Sequence, residues 1–265
     1  MKIRKLILGL YSVNCYIVST DNFCFIIDPG ADFKSIDRCI KEESLTPGFI
    51  LNTHGHYDHI GAVPEVVNKY KIPFYIHVED EFIITDPDKN LSTIFGQNGL
   101  SLKTYKLIGA DVSVNTRNIS NSKRNTGINS RSSSGIATDN ISRSTEGIYS
   151  SNTKNNGGIK KIFTCDVIDK EIEIFNLPGH TPGSIVIKLR NYLFSGDLLF
   201  KEGVGRTDLP GGNADELVKS LNLIKKFNPE LTVYPGHGAT TKLKFEIENN
   251  YYLSNSFLKG GKNWF

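Results

Sequence analysis

The segment Asn52-Thr53-His54-Gly55-His56-Tyr57-Asp58-His59 places three imidazoles and a carboxylate within six residues. Neutral imidazole nitrogen and carboxylate oxygen are donors that zinc and iron accept, and a compact loop at a strand end can aim them into one cavity. A lone surface histidine would usually be structural. Crowding this many groups together without a cation would be costly, because each must give up water.

The rest of the chain uses histidine sparingly. Outside the segment stand only His77, His180 and His237, and two of these sit in Pro-Gly-His turns, Pro178-Gly179-His180-Thr181-Pro182-Gly183 and Pro235-Gly236-His237-Gly238. Such turns hold a side chain rigidly, while glycine lets the backbone approach an occupied site closely. Asp197, in Phe194-Ser195-Gly196-Asp197, closes another strand-like run. The candidate ligands are therefore His54, His56, Asp58, His59, His180, Asp197 and His237, each near a predicted strand end, the natural place for a site on a layered sheet scaffold.

On these residues the chain resembles the metallo-β-lactamase superfamily, whose T-H-x-H-x-D-H hallmark is matched by Thr53 to His59 and whose later His, Asp and His elements are matched by His180, Asp197 and His237. The resemblance covers most of the chain outside residues 113–158. It implies an α/β fold of the αββα four-layer kind and two divalent metal ions, zinc foremost, with iron or manganese also suited. By the same resemblance His54, His56 and His180 hold the first metal, Asp58, His59 and His237 the second, and Asp197 bridges them. Asp28, in Ile27-Asp28-Pro29-Gly30, matches an aspartate that steadies the ligand loop.

More narrowly, Pro178 to Gly183, Gly196-Asp197 and Gly205-Arg206-Thr207-Asp208-Leu209-Pro210-Gly211-Gly212 look like the short glyoxalase II-like, or hydroxyacylglutathione hydrolase-like, branch. The implied reaction is hydrolysis of a small thioester, S-lactoylglutathione or a relative. Hydroxide held between two metals attacks the carbonyl, and Asp58 both ligates and orients it. A thiolate leaves without a strong general acid, since thiols have a pKa of about 8.5, which suits a chain whose obvious acids and bases are all spent as ligands. Glyoxalase II proper carries a C-terminal helical domain with basic residues for glutathione, whereas some 28 residues follow His237 here. The Gly-Arg-Thr-Asp segment is shared with mononuclear iron persulfide dioxygenases, the main enzymatic alternative, with a lactonase or β-lactamase more distant. A non-catalytic metal-binding interaction module is the alternative of a different class. Arg206 either binds a substrate carboxylate through its planar fork or pairs with Asp208, and His77 either lines the pocket or packs.

Short apolar or alternating runs must position these residues: Phe23 to Ile27, Phe49 to Leu51, Phe74 to Ile76, Glu171 to Phe175, Ile185 to Leu189, Tyr192 to Phe194 and Leu231 to Tyr234 read as strands. Tyr11 and Tyr16 also read as strand residues. Helical spacing covers Ala62 to Tyr70 and Ala214 to Phe227, the second with Asn213 as N-cap. The chain reads as one domain, 1–265, interrupted at 113–158, where Asn and Ser fill 20 of the 46 positions. That stretch cannot bury enough surface to offset its ordering entropy and reads as a disordered, low-complexity insertion.

The net charge of +3 sits in the same region, because residues 110–160 hold seven Lys/Arg against three Asp/Glu. A nucleic-acid partner is therefore not expected. No run of about 20 apolar residues is available to span a bilayer. The four cysteines show no C-x-x-C spacing and read as free thiols, which with the lack of a cleavage site points to the cytoplasm. Composition leaves the oligomeric state open.

Overall fold

The computed structural model describes residues 1–95, 99–109, 161–165 and 172–260, so the expected insertion at 113–158 lies outside the described residues. Strands β1 (Lys2–Leu8), β2 (Val13–Thr20), β3 (Phe23–Ile27), β4 (Thr46–Leu51), β5 (Phe74–His77) and β6 (Lys106–Ile108) lie side by side in that order. The first three pair antiparallel, and β3 to β6 pair parallel. Parallel neighbours need crossovers. These carry α1 (Phe33–Glu42), then α2 (Tyr57–Ile60) and α3 (Val63–Tyr70), then α4 (Glu81–Thr85).

The second sheet contains β7 (Lys161–Cys165), β8 (Ile172–Asn176), β9 (Ile185–Leu189) and β10 (Tyr192–Gly196), followed by a small separate ribbon of β11 (Leu199–Phe200) with β12 (Gly203–Val204). After α5 (Ala214–Ile224), β13 (Thr232–Pro235) and β14 (Thr241–Lys242) complete it in the spatial order β14-β13-β10-β9-β8-β7. Helices α6 (Leu243–Asn249) and α7 (Asn255–Gly260) follow.

Period-two alternation makes both faces of each sheet apolar. In β2 and β3, Cys15, Ile17, Cys24 and Ile26 pack with Ile36 and Ile40 of α1, whereas Tyr16, Val18, Phe25 and Ile27 face the second sheet. On that sheet Ile172, Ile174, Ile185, Ile187 and Phe194 meet them, while Val186 and Leu193 point the other way, onto Leu217, Leu221 and Ile224 of α5. Three cores between four layers give the αββα order. Each fully buried Ile, Leu or Phe contributes roughly 1.5–3 kcal/mol, so these cores, with no help from a ligand, are the main source of stability.

Most expected elements form, with shifts at their ends. The strands at Phe23–Ile27 and Ile185–Leu189 have the bounds read from sequence. Asn213 caps α5 by accepting from the Glu216 N–H at 3.0 Å. That helix stops at Ile224, not Phe227, because the Lys226 and Phe227 N–H groups bond three residues back, to Leu223 and Ile224, just ahead of Pro229. Tyr16 lies in β2, but Tyr11 is not a strand residue. It sits in the turn between β1 and β2, where Gly9 and Ser12 take φ of 65° and 54° and the Ser12 N–H bonds the Gly9 carbonyl at 3.3 Å.

Candidate metal centre

Two parallel pairings assemble the site. β3 and β4 end together, with Ile27 opposite Leu51, so Asp28 meets the segment that begins at Asn52. β10 and β13 end together, with Gly196 opposite Pro235, so Asp197 and His237 emerge side by side. Gly236 fits this closeness, since a Cβ there would lie 2.1 Å from Asp197 Oδ1. His180 arrives from the turn after β8.

All seven candidate ligands converge. His54, His56 and His180 offer donor atoms within 4.8 Å of one another, as do Asp58, His59 and His237, and as do His54, His59 and Asp197. His56 Nδ1 faces His180 Nε2 at 2.9 Å, and His59 Nε2 faces His237 Nε2 at 3.2 Å. Asp197 stands between the two halves, 3.4 Å from His59 Nε2 and 3.7 Å from His180 Nε2. Asp58 Oδ2 lies 3.2 Å from His237 Nε2.

The surroundings orient the rings. The Nδ1 of His59 bonds Asp28 Oδ2 at 3.0 Å, that of His180 bonds the Arg206 carbonyl at 2.7 Å, and that of His237 bonds the Tyr11 carbonyl at 3.1 Å. Each acceptor takes the Nδ1 proton in a hydrogen bond and turns Nε2 inward towards the other donors, the usual arrangement behind metal-binding histidines. Asp28 also accepts from the Thr53 N–H and hydroxyl at 2.8 and 2.7 Å. One carboxylate thus contacts both the Thr53 end of the segment and the His59 ring.

These residues fit a divalent cation. His54 Nε2 and Asp197 Oδ1 are buried with no hydrogen-bond partner, a costly state that a cation would relieve. Burial, and then the neighbouring imidazoles, push His54 and His56 well below the usual histidine range, so both are kept as neutral donors. His59 goes the other way. Burial disfavours its imidazolium, but Asp58, Asp197 and Asp28 outweigh it and raise the ring to about 10. Burial likewise pushes the Asp58 carboxyl up, yet His59 and His237 hold it below the usual carboxylate range. One half of the cluster is a set of neutral nitrogens, and the other attracts positive charge.

Beside the cluster opens a cavity of about 460 Å³, walled by Tyr11, Leu91, Phe95, Phe200, Val204 and Leu209 and floored by five of the candidate ligands, His56, Asp58, His180, Asp197 and His237. Tyr11 and Phe95 pack at a tilt of 54° with centroids 4.6 Å apart. Arg206 lines this cavity and forms the pair with Asp208 that the sequence offered as one reading, bidentate with both contacts at 2.5 Å. His77 does not line the cavity. It is buried at the end of β5, accepts from the Glu79 N–H at 3.3 Å, and is pushed down to about 4 by burial.

Sequence reasoning missed two residues that hold the ligand turns. Asn14 donates from Nδ2 to the Pro235 and Gly238 carbonyls at 2.9 and 3.0 Å, clasping the turn that carries His237. Asp80 accepts hydrogen bonds from Gly55, Thr181 and Gly183. The only sequence signal was that Asn14 interrupts an apolar run.

A profile of the Metallo-beta-lactamase superfamily matches residues 8–237. The chain belongs to this superfamily. It is 31% identical over 258 residues to a protein of Bacillus subtilis named probable metallo-hydrolase YqgX, covering 96% of this chain and 98% of that one. It is 25% identical over 258 residues to the hydroxyacylglutathione hydrolase GloC of Haemophilus influenzae, covering 96% and 99%. Among solved structures, the BLEG-1 B3 metallo-beta-lactamase superposes with a TM-score of 0.68 at 28% identity, over 96% of this chain and all (100%) of that one. TTHA1623 in a di-iron-bound form superposes with a TM-score of 0.65 at 27% identity, over 94% and 100%. Membership of this superfamily supports a hydrolase, and its clustered His and Asp side chains are the kind that hold a dinuclear metal site. Among the described residues no helix is long and apolar enough to cross a membrane.

Proposed function

We propose that the chain is a dinuclear metal-dependent hydrolase of small thioesters. His54, His56 and His180 hold one cation, Asp58, His59 and His237 the other, and Asp197 serves both. Such a pair supplies a nucleophile at neutral pH, by lowering the pKa of coordinated water to about 7, and a Lewis acid for a carbonyl oxygen. Zinc suits these nitrogen and oxygen donors, and the di-iron form of TTHA1623 makes iron the metal to compare with it.

The observation that carries the thioester reading is the composition of the cavity wall. Among the described residues, every carboxylate and imidazole that lines it belongs to the proposed ligand set. Among the described residues no spare carboxylic acid or imidazolium lines it to protonate a poor leaving group. A thiolate needs none, because its conjugate acid has a pKa of about 8.5, far below that of an alcohol or amine. The name of GloC, a hydroxyacylglutathione hydrolase, supports the same class. The chain's own residues do the rest: Asp58 accepts and holds a proton-bearing oxygen at the centre, the aromatic wall excludes water, and Arg206 stands at the mouth where a substrate carboxylate would lie.

Completeness of the Asp58, His59 and His237 group favours hydrolysis over a mononuclear dioxygenase, which has no use for a second set. The test loads the metal-free protein with zinc, manganese or iron and presents S-lactoylglutathione, related thioesters, a lactone, a β-lactam and glutathione persulfide. Oxygen-independent thioester cleavage with two metals per chain is expected to be the fastest reaction. Oxygen consumption with the persulfide at one iron per chain, with negligible thioester cleavage, would overturn the reading.

A further inference from the structure

Asp80 lies three residues beyond β5, at the N-cap position of α4, outside every motif of the site, and is buried completely. Its Oδ2 accepts from the Gly55 N–H at 2.9 Å and the Thr181 hydroxyl at 2.9 Å, and its Oδ1 accepts from the Gly183 N–H at 2.7 Å. Gly55 is the residue between His54 and His56, and Thr181 follows His180. One carboxylate thus ties together the two stretches of chain that carry the three-histidine group.

We propose that Asp80 is the positioning residue of that group, holding His54, His56 and His180 in register for a single cation, as Asp28 does for His59. This rests on the reading of the cluster as a metal centre.

The surroundings are shaped for this contact. A Cβ on Gly183 would fall 2.6 Å from Asp80 Cγ, so the approach requires glycine. A Cβ on Gly55 would lie 3.0–3.2 Å from Ile83 and Ile84 of α4, which backs the ligand loop from the same side. Among the described residues no lysine or arginine pairs with Asp80. Burial pushes its carboxyl up to about 7, although Thr181, Gly183 and Gly55 pull it down. A carboxylate held where burial disfavours it costs stability, and a neutral side chain would avoid that cost. What asparagine cannot supply is a second acceptor: whichever way its amide is turned, the NH₂ meets either the Gly55 or the Gly183 N–H.

The experiment follows zinc binding by NMR of ¹⁵N-labelled histidines in a chelator-buffered zinc series. The chain has six histidines, and His77, outside the cluster, serves as the internal reference. In Asp80→Asn, the free zinc that half-shifts His54, His56 and His180 should rise about 10- to 100-fold, the usual cost of losing a group that orients ligands. His59 and His237 should respond as in the wild type. Equal affinity at all five rings in variant and wild type would overturn the proposal, and so would an equal loss at all five. Should Asp80→Asn not fold, Thr181→Val and Thr181→Ser put the same question, since the first deletes the hydroxyl at similar volume and the second restores it. Serine is expected to behave as wild type and valine to weaken the three-histidine group; valine matching serine would overturn the proposal. Wild-type rings that ignore zinc altogether would overturn the metal-centre reading itself, and this role with it.

Discussion

Replacing Asn14 by alanine should loosen one half of the site from a position far from it in sequence. The side chain is buried, and its two Nδ2 hydrogen bonds to Pro235 and Gly238 help clasp the turn bearing His237 to β2. Neither carbonyl would be left bare. Tyr16 still donates to Pro235 at 2.6 Å, and Lys5 still donates to Gly238 at 3.0 Å. The variant therefore leaves no newly unpaired acceptor and loses two ordinary hydrogen bonds, each contributing about 0.5–1.5 kcal/mol, while Asn14 Oδ1, buried without a partner, is removed with them. The expected loss is about 1 kcal/mol, below the sum of the two bonds because the unpaired oxygen goes too. Urea unfolding of the metal-free protein should show a lower midpoint at unchanged slope, the signature of lost stability without a change in exposed surface. The same ¹⁵N-histidine titration should show weaker zinc binding at His59 and His237, because the His237 ring is aimed by the Tyr11 carbonyl on this edge. A loss below about 0.5 kcal/mol, the range of an indifferent surface change, would refute the argument. So would weakening confined to His54, His56 and His180.

Asp197→Ala should abolish metal-dependent turnover and lower metal content while circular dichroism stays native, since three apolar cores and not the cation supply most of the stability. An active variant free of adventitious metal would remove Asp197 from the centre. For pH, a folded-state value near 10 against an ordinary 6.5 means that His59 stabilises the metal-free fold fully below about 6.5 and loses that contribution as pH rises towards 10. The melting temperature of the metal-free protein should thus fall relative to the zinc-loaded protein between pH 7 and 10, and parallel curves would contradict this. Arg206→Ala should raise KM a few-fold more than it lowers kcat, a modest effect because Asp208 already engages the guanidinium; a dominant fall in kcat would instead make Arg206 part of the chemistry. Deleting Asn115 to Asn156 with a short Gly/Ser joint should leave catalysis intact, since that stretch contains no proposed ligand. A folded, metal-loaded deletion variant without turnover would give the segment a substrate role.

Local pattern decides what a sequence can reveal here. The candidate ligand segment was legible because its four donors fall within six residues, and β3, β9 and α5 were legible because apolar periodicity, and for α5 an N-cap, show over short windows. Helix α1 escaped notice. Asp32, at its N-cap position, has φ of 47° and makes no side-chain cap bond, and its core contact depends on Ile36 and Ile40. Strands β1 and β2 were obscured by a basic start and by Asn14, a polar residue in an otherwise buried strand. That residue breaks the apolar pattern because its partner is the Pro235 carbonyl, 221 positions away. Asp80 is hidden for the same reason, its Gly183 partner lying 103 positions on. Neither carries a recognisable neighbourhood, whereas Asp28 was found only because the superfamily resemblance supplied one. The candidate ligands, which the fold brings together, were legible in sequence, but the groups that aim them become visible only when the folded chain brings their hydrogen-bond partners together. A buried polar residue that breaks an apolar run is therefore a sign that some distant backbone group requires a partner at that point.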